Sequence, residues 1–596
     1  MKKFLIICVA ITAVFFGSLT QGYAQAHDFI DLTSLLGNGA MPNINDHGDM
    51  VWLYVESPSF TASVYFYDSS NGEVTLVKST PNKLNICSFN NRGDLCLMER
   101  FGSAYDLFLY DTNTHLMTRL TNDGVRDSAG KLNEAGDVVW SKHDGSDYEI
   151  MLYQRATGAI TQFTNNTLND SSPAINNNGD IAWTQHDGND NEVVLYDKTT
   201  GTIAQITDDI HKDSSPMIND NQDINWKRND GNDDEIMFYN GTTEIVKQLS
   251  NNNWRDYLGD MNSQGNVVWH LYDLWLPTLD PAEIFFYDKE ADAVIQITDN
   301  DKHDRNPRIN DSNQVVWYGG SDWMIPYTFY EIHLYDHRTG ITTLLMPNPD
   351  TYERDPNINN RGEIVWHNLT TGEAWMARPK GLTVEGTDVA IQPADSTTGE
   401  APLTMTFQEV TDWGMTTLET SETGPESPSG LQLGTPPTFF DIETTAEHFG
   451  SIEICVSYEE GAYTNEEDLR LMHYSGYQWE DITTSLDTDG NRICGTTSSL
   501  SEFTVMRVPG YDLYMQLIKH IQDSSIPSGT QNSLIKKLQN SLASLMKGNT
   551  KAASNQLKAF QNEVKAQSGK KKDIDEGFAA ILLNLSDELA AVLMGL

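Results

Sequence analysis

A motif of the form Pro-x-Ile-Asn-x-x-Gly-Asp-Ile-Val-Trp recurs through the first two thirds of this chain, and no other feature limits the possible folds as strongly. Its asparagine, called here the repeat Asn, returns at intervals of 43 to 49 residues, at Asn45, Asn90, Asn133, Asn176, Asn219, Asn262, Asn310 and Asn359. Seven residues after each repeat Asn stands a tryptophan or, once, a leucine: Trp52, Leu97, Trp140, Trp183, Trp226, Trp269, Trp317 and Trp366. Such a period, filled with short strands, is typical of propeller blades. The sequence therefore predicts a mainly β chain that begins with an eight-bladed β-propeller.

The unit around Asn176 shows how one repeat is expected to fold. Residues 172–175 predict a first strand, 176–179 a glycine-containing turn, and 180–183 a second strand. Residues 192–196 and 202–206 predict the third and fourth strands. Such a sheet packs both faces against its neighbours, so we expect the tryptophan in the core. The eighth unit has no fourth strand of its own, and residues 29–32 are expected to supply it.

Two further signatures accompany the repeats. Tyr-Asp pairs end the predicted third strands, and Asp-x-x-Pro segments enter the first strands, at Tyr67-Asp68, Tyr110-Asp111, Tyr196-Asp197, Tyr287-Asp288 and Tyr335-Asp336, and at Asp170, Asp213 and Asp304. With these signatures, residues 30–378 resemble the TolB-like propeller family. The resemblance implies the fold and leaves the function open, because this architecture carries lyases, peptidase gates and interaction platforms alike.

Two different segments follow the repeats. Residues 380–509 are rich in Thr, Ser and Gly and predict a β-sandwich, and 434–445 resemble a module appended to bacterial exported proteins. Residues 510–596 predict helices over 511–523, 530–547, 550–567 and 574–594. Segments 533–538, 547–553 and 555–560 resemble the FIMAH domain, which implies attachment or partner docking. The expected domains are thus a signal peptide (1–26), a propeller (27–379), a sandwich (380–509) and a small C-terminal α-helical domain (510–596).

The N-terminus predicts export. Lys2 and Lys3 precede an apolar run over 4–16 and small residues that end at Ala26, which is the pattern of a secretory signal peptide. We therefore expect a secreted or cell-surface protein, with the periplasm as an open alternative. Four cysteines remain in the mature chain, and they predict the disulfides Cys87–Cys96 and Cys455–Cys494.

The formal net charge is -46. This charge opposes binding to nucleic acid and to anionic membrane surfaces, and it favours cations, cationic partners or neutral sugars. An acidic surface that serves solubility alone is the alternative. The final stretch, 573–596, is rich in Ala and Leu but carries five acidic residues, so it predicts an amphipathic helix and no membrane span.

Six carboxylates share one position in the repeat, six residues before the repeat Asn: Asp127, Asp170, Asp213, Asp256, Asp304 and Glu353. Their common phase predicts that they gather around one mouth of the central channel, where they would bind calcium or a polar ligand. The alternative is structural, since an Asp also caps a loop and ties neighbouring blades together.

Three consecutive repeats carry acidic Asp-Gly turns between the second and third strands, over 143–149, 186–192 and 229–235. Oxygen ligands grouped around a glycine suit a hard cation, so the turns predict calcium sites. The predicted ligands are Asp144, Asp147, Asp187, Asp190, Asp230 and Asp233. The turns do not complete an EF-hand loop, and Asp-Gly is also a common hairpin turn, which remains the alternative.

The next two repeats replace this turn by longer aromatic inserts. Trp275 and Trp323 in these inserts are predicted to stack on sugar rings or to anchor a protein partner, unless they only pack on each other. His211, Arg255, His303 and Arg305 are expected near the channel mouth, but the sequence contains no G-x-S-x-G, H-E-x-x-H or P-loop motif. The sequence therefore favours an exported binding, adhesion or scaffolding protein that uses one propeller face for a glycan or a cell-surface protein, with calcium as the candidate cofactor. A propeller-fold polysaccharide lyase or glycoside hydrolase is the alternative function.

Overall fold

The computed structural model describes residues 27–596, except 38–40, 57–58, 129, 273–280, 321–328, 346–351, 397, 460 and 570–571. The predicted signal peptide (1–26) lies outside the described residues. The described chain is mostly β and ends in helices, which confirms the predicted mainly β class.

Residues 27–379 form eight antiparallel sheets of four strands each, numbered here as sheets 1 to 8 in chain order. Sheet 1 contains β2 (Met41–Ile44), β3 (Met50–Val55), β4 (Ala62–Asp68) and β5 (Glu73–Thr80), and sheet 2 contains β6 (Leu84–Phe89), β7 (Leu95–Phe101), β8 (Ala104–Asp111) and β9 (Leu116–Arg119). Sheet 3 contains β10 (Lys131–Leu132), β11 (Val138–His143), β12 (Tyr148–Gln154) and β13 (Ala159–Gln162), and sheet 4 contains β14 (Asp170–Ile175), β15 (Ile181–His186), β16 (Asn191–Asp197) and β17 (Thr202–Gln205). The predicted strands of the unit around Asn176 lie within a few residues of β14 to β17.

Sheets 5 to 8 repeat this meander. Sheet 5 contains β18 (Lys212–Ile218), β19 (Ile224–Asn229), β20 (Asp234–Asn240) and β21 (Ile245–Gln248), and sheet 6 contains β22 (Arg255–Met261), β23 (Val267–Tyr272), β24 (Glu283–Asp288) and β25 (Ala293–Gln296). Sheet 7 contains β26 (His303–Ile309), β27 (Gln314–Gly320), β28 (Tyr330–Asp336) and β29 (Ile341–Leu345), and sheet 8 contains β30 (Glu353–Ile358), β31 (Ile364–Asn368), β32 (Ala374–Pro379) and β1 (His27–Asp31). The outer strand of sheet 8 is β1, which pairs with β32 so that Phe29 lies opposite Ala377. A short helix, α1 (Thr33–Leu36), follows β1.

The repeat Asn links each sheet to the next. Its Nδ2 donates a hydrogen bond to a main-chain oxygen in the corresponding turn of the following sheet, as from Asn133 to Asn176 at 3.0 Å. The series returns to its start, because Asn359 Nδ2 donates to the carbonyl oxygen of Asn45 at 2.9 Å. Each link satisfies the side-chain amide of a buried asparagine and ties two neighbouring sheets together.

The repeat tryptophans are core residues, as predicted. Each is at most 1% exposed, namely Trp52, Trp140, Trp183, Trp226, Trp269, Trp317 and Trp366. Truncation of such a buried tryptophan to alanine costs about 3 to 5 kcal/mol of stability, so these positions fix the packing between sheets.

Residues 382–507 form two further sheets that enclose one apolar core, with Phe407 and Phe503 fully buried in it. The first sheet contains β33 (Leu382–Thr383), β36 (Gly414–Ser421), β37 (Gln432–Leu433), β38 (Phe439–Thr444), β40 (Leu469–Tyr474), β41 (Trp479–Asp481) and β44 (Glu502–Arg507). The second contains β34 (Gly386–Ile391), β35 (Leu403–Asp412), β39 (Glu447–Ser457), β42 (Thr483–Asp487) and β43 (Arg492–Thr497). A 3-10 turn (Glu466–Asp468) precedes β40.

Four helices complete the chain: α2 (Tyr511–Gln522), α3 (Ser528–Met546), α4 (Thr550–Gln567) and α5 (Glu576–Met594). Their bounds lie within two residues of the predicted ones. They share one core with the preceding β segment, in which Met506 and Trp479 pack with Leu538 and Leu582. Among the described residues, α5 is the one helix whose length and hydropathy would suit a membrane span. Its face with Leu582 and Leu589 is buried in this core.

One of the two predicted disulfides is present, between Cys455 and Cys494 on the paired strands β39 and β43. The Cys87–Cys96 prediction is corrected, because both residues are free thiols. Cys87 lies where the register of β6 and β7 shifts between Ile86 and Ser88, so it is the extra residue of a bulge and does not stand directly across from Cys96. A hydrogen bond between the two thiols lowers the pKa of Cys87 and raises that of Cys96.

Candidate functional site

Three loops of identical design join the second and third strands of sheets 3, 4 and 5. In each loop the first Asp accepts hydrogen bonds from main-chain N–H groups two and three residues later, as Asp230 does from Asn232 at 2.8 Å and from Asp233 at 3.2 Å. A glycine with positive φ follows this Asp, for example Gly231 at 97°. The turn therefore fixes the first Asp on the exposed side and folds the second Asp inward.

Each loop brings carboxylates together with a glutamate from the start of the third strand. The ligand atoms of Asp144, Asp147 and Glu149 lie within 4.8 Å of one another, and so do those of Asp230, Asp233 and Glu235. In sheet 4 two groups share Glu192, one with Asp187 and Asp208 and the other with Asp190 and Asp209. We call these groups, with the two of sheet 4 taken together, the carboxylate triads of sheets 3, 4 and 5.

The inner members of the triads are buried. Asp147 and Asp233 are 7% and 6% exposed, and the three glutamates are at most 1% exposed. Among the described residues, Oδ1 of Asp147, Oε2 of Glu192 and both carboxylate oxygens of Asp233 and of Asp190 are buried without a hydrogen-bond partner. Buried acceptors without a donor are costly, and a cation placed between them would remove that cost.

The glutamates are held from the outer side of each sheet. Glu235 accepts hydrogen bonds from the Ser250 hydroxyl at 2.7 Å and from the main-chain N–H of Asn252 at 2.9 Å. Glu149 accepts the same two kinds of bond, from Thr164 at 2.6 Å and Asn166 at 2.8 Å. These bonds fix each carboxylate in place beside the loop, as preorganised metal ligands are fixed by their neighbours.

Some members of the triads have a lowered pKa, and others have a raised one. Main-chain N–H groups lower the pKa of the exposed Asp144, Asp187 and Asp230. Burial, followed by the charges of Glu235 and Asp230, raises the pKa of Asp233 to about 6. Burial likewise raises the pKa of Glu149 and Glu192. Each triad therefore concentrates negative charge that a hard cation such as calcium would stabilise.

The sequence identified the Asp members of the triads and missed the glutamates. All six predicted metal ligands lie at the loops, and each belongs to a group that contains its own loop's glutamate. In sheet 4 the groups also contain Asp208 and Asp209, which the sequence did not single out. The missing signal was available, because each glutamate stands two residues after the second Asp, where an alternating strand turns its side chain to the same side.

The six common-phase carboxylates take a different place. All are at most 5% exposed: Asp127, Asp170, Asp213, Asp256, Asp304 and Glu353. Four of them accept the indole N–H of the tryptophan in their own sheet at 2.8 to 3.1 Å, from Trp140, Trp183, Trp226 and Trp317. Burial raises the pKa of Asp127 to about 6 and that of Asp256 to about 8. These contacts correspond to the structural alternative, and a ligand role for the six remains a prediction.

The two aromatic inserts contribute no geometry to the site, because Trp275 and Trp323 lie outside the described residues. Of the predicted mouth residues, Arg305 is half-buried beside Tyr272, and Arg255 is more exposed and lies 3.7 Å from Asp234. His303 is buried, and its Nδ1 accepts the main-chain N–H of Ala282 at 3.1 Å.

No protein-family model and no curated protein matches the chain. Similar solved structures include a puromycin-hydrolyzing peptidase of Mycobacterium tuberculosis, with 14% identity over 58% of each chain and a TM-score of 0.36. They also include a TolB of Agrobacterium tumefaciens, with 13% identity over 40% of this chain and 87% of that chain, and a TM-score of 0.30. An oligogalacturonate lyase of Vibrio parahaemolyticus is 10% identical over 59% of this chain and 98% of its own, with a TM-score of 0.37. The chain spans 58% of the peptidase's length, and likeness at these values carries no argument about chemistry.

Proposed function

We propose that sheets 1 to 8 are the blades of one closed β-propeller, and that this exported protein uses the face with the carboxylate triads to bind a glycan or a cell-surface protein with the help of calcium. The observation that carries the proposal is the recurrence of close three-carboxylate groups around the same loop glutamate in three consecutive sheets, with buried partnerless oxygens in each. The hydrogen bond from Asn359 back to Asn45 supports closure of the propeller. The disulfide between Cys455 and Cys494 supports export.

The ligand set explains why a cation would assist binding. Calcium takes six to eight oxygen ligands, and a triad offers at most three carboxylates. The remaining positions are open to main-chain oxygens, water and oxygens of a partner. Sites on three neighbouring blades would hold a repeating ligand at several points, which strengthens binding without new contacts. The C-terminal helices would then serve attachment.

Binding of the mature chain to a panel of polysaccharides and to whole cells, measured in calcium and in EDTA, tests this proposal. We expect binding in calcium that is lost in EDTA and in the combined variant Asp147→Asn, Asp190→Asn, Asp233→Asn. The control is Asp234→Asn, which removes the carboxylate next to Asp233 in the sequence but lies outside the triads. Binding that is equal in EDTA and unaffected by the combined variant would contradict the proposal. Release of reducing ends or of unsaturated products in the same incubations would favour the enzyme alternative.

A further inference from the structure

Sheets 6, 7 and 8 differ from sheets 3, 4 and 5 at one position of the innermost strand, five residues before the repeat Asn. Sheets 3 to 5 carry Ser128, Ser171 and Ser214 there, whereas sheets 6 to 8 carry Tyr257, Arg305 and Arg354. In sheets 2 and 3 this position borders open space, since Asn85 and Ser128 line a cavity of about 480 Å³. Arg305 and Arg354 occupy this same position of the repeat, so their guanidinium groups lie on the neighbouring sheets 7 and 8.

Aromatic rings hold both arginines. The Arg305 guanidinium lies 4.1 Å from the ring centre of Tyr272, and that of Arg354 lies 5.0 Å from Tyr318 and 5.6 Å from Tyr330. Arg354 Nη2 also donates to the Tyr318 hydroxyl at 3.0 Å. Stacking of this kind orients the planar guanidinium without neutralising its charge.

The two positive charges lack an ion-pair partner in the described part of the chain. Neither guanidinium lies within 4.0 Å of a described carboxylate, although the sequence has 85 acidic and 39 basic residues. By contrast, Arg228 in sheet 5 pairs with both Asp209 and Asp213. Nε and Nη2 of Arg305 and Nε of Arg354 are buried without an acceptor. The nearby Asp355 instead accepts the amide of Asn306 at 3.2 Å.

Neutral hydrogen-bonding groups surround the arginines. Tyr330 and Tyr318 are buried and meet edge to face with ring centres 5.3 Å apart. His367 lies across the strand pair from Arg354, and neither of its buried ring nitrogens has a described partner. Burial lowers the pKa of His367, so its imidazole is neutral at pH 7 and offers one donor and one acceptor.

We propose that Arg305 and Arg354, with Tyr318, Tyr330 and His367, form a binding site for the carboxylate of a small ligand. A planar guanidinium matches a carboxylate in shape and charge, and a partnerless pair of guanidiniums is stabilised by one. The net charge of -46 disfavours multiply charged anions, so a ligand with a single carboxylate fits better than phosphate. The site lies on sheets 7 and 8, needs no cation and is separate from the triads.

Calorimetric titration of the mature chain in EDTA tests the site. The probes are galacturonate, triglycine, inorganic phosphate and the neutral sugar galactose. We expect galacturonate or triglycine to bind and galactose not to bind. Binding of galacturonate would identify a sugar acid as the ligand class, and binding of triglycine would identify a peptide C-terminus. We expect Arg305→Gln and Arg354→Gln each to weaken binding about tenfold or more, since each removes hydrogen bonds to a charged group.

Two controls keep the test decisive. Arg338→Gln removes the same charge from an arginine that is 81% exposed, and it should bind as the parent protein does. Arg305→Lys keeps the charge and loses the planar fork, so it should bind with intermediate affinity and serves if the Gln variant does not fold. Failure of both carboxylates to bind at about 10 mM, tighter binding of phosphate, or unchanged affinity in the arginine variants would overturn the proposal. Because EDTA is present, none of these results bears on calcium binding by the triads.

Discussion

Asp233→Asn should change protein stability in opposite directions with and without calcium. The ligand atoms of Asp230, Asp233 and Glu235 lie within 4.8 Å of one another. At an effective dielectric constant of 20, two unit charges at this separation repel by about 3 kcal/mol. The pKa of Asp233 is raised to about 6, so its carboxylate is largely ionised at pH 7.5 and the repulsion persists at this pH. At pH 7.5 in EDTA we therefore expect the variant to be about 1 to 2 kcal/mol more stable than the parent protein.

Calcium should reverse this order. A cation that binds only the folded state at 100 times its dissociation constant stabilises it by about 2.7 kcal/mol per site. The variant loses one charged ligand of the sheet 5 triad, so its calcium-induced gain should fall by a comparable amount. The main-chain bond from Asp233 N–H to Asp230 is unchanged by the substitution, so the loop itself should persist.

Thermal melting in EDTA and in calcium at pH 7.5, with Asp234→Asn as the control, measures both effects. Asp234 pairs weakly with Lys227 and Arg255, at 3.7 Å each, and belongs to no triad, so its variant should keep the full calcium shift. If Asp233→Asn lowers the melting temperature equally in both conditions, Asp233 only shapes the turn and the triad interpretation is wrong. A parent protein with no calcium shift would have the same consequence.

Three further predictions concern the fold. Asn359→Ala should lower the free energy of unfolding by about 2 to 3 kcal/mol in urea melts, because it removes the bond to the Asn45 carbonyl and leaves the main-chain N–H groups of Arg361 and Glu363 without their acceptor, whereas Asn357→Ala should have little effect. When a chain without residues 1–26 is denatured without reductant, DTNB should detect two free thiols, those of Cys87 and Cys96. If DTNB detects no free thiol, the two cysteines form a second disulfide. Asp256, whose pKa burial raises to about 8, favours the folded state while protonated, so this stability is lost as the pH rises through 8. Asp256→Asn should therefore gain in melting temperature relative to the parent between pH 5 and pH 9, and a constant difference would contradict this.

The sequence allowed the strands to be placed because the repeat Asn and the tryptophan mark a turn and a buried strand at fixed spacing. Trp183 lies in β15 and is buried, as its position predicts. The hydrogen bond from Asn133 to the next sheet was not predictable. Asparagine is common in turns, so its local position already explains it, and the oxygen that it binds lies 43 residues away in the sequence. The role of Asp170 was open for the same reason, since its indole donor, Trp183, is 13 residues away.

The candidate sites were predictable only in part. The Asp-Gly turn is a clear sequence signal, so the loop of Asp233 was predicted. Glu235 lies in the following strand, where only the alternation of side chains indicates that it faces the same side as Asp233, so it was missed. The paired cysteines illustrate the opposite error. Their spacing suited a disulfide across a hairpin, but the bulge at Cys87 shifts the register between Ile86 and Ser88, and a register shift has no reliable sequence signal.

Residues that build the sheets and residues that build the two sites occupy different positions of the repeat. The carboxylates of the triads lie in or beside loops, where substitution leaves the Asn links and the tryptophan core unchanged, so three sheets can carry them at little cost to the fold. Arg305 and Arg354 instead replace serine on the innermost strand, where a half-buried charge without a partner is destabilising. Stacking on Tyr272, Tyr318 and Tyr330 offsets part of this cost, but it leaves the charge itself uncompensated. A position that carries such a cost on two adjacent sheets is better explained by an anionic ligand than by packing.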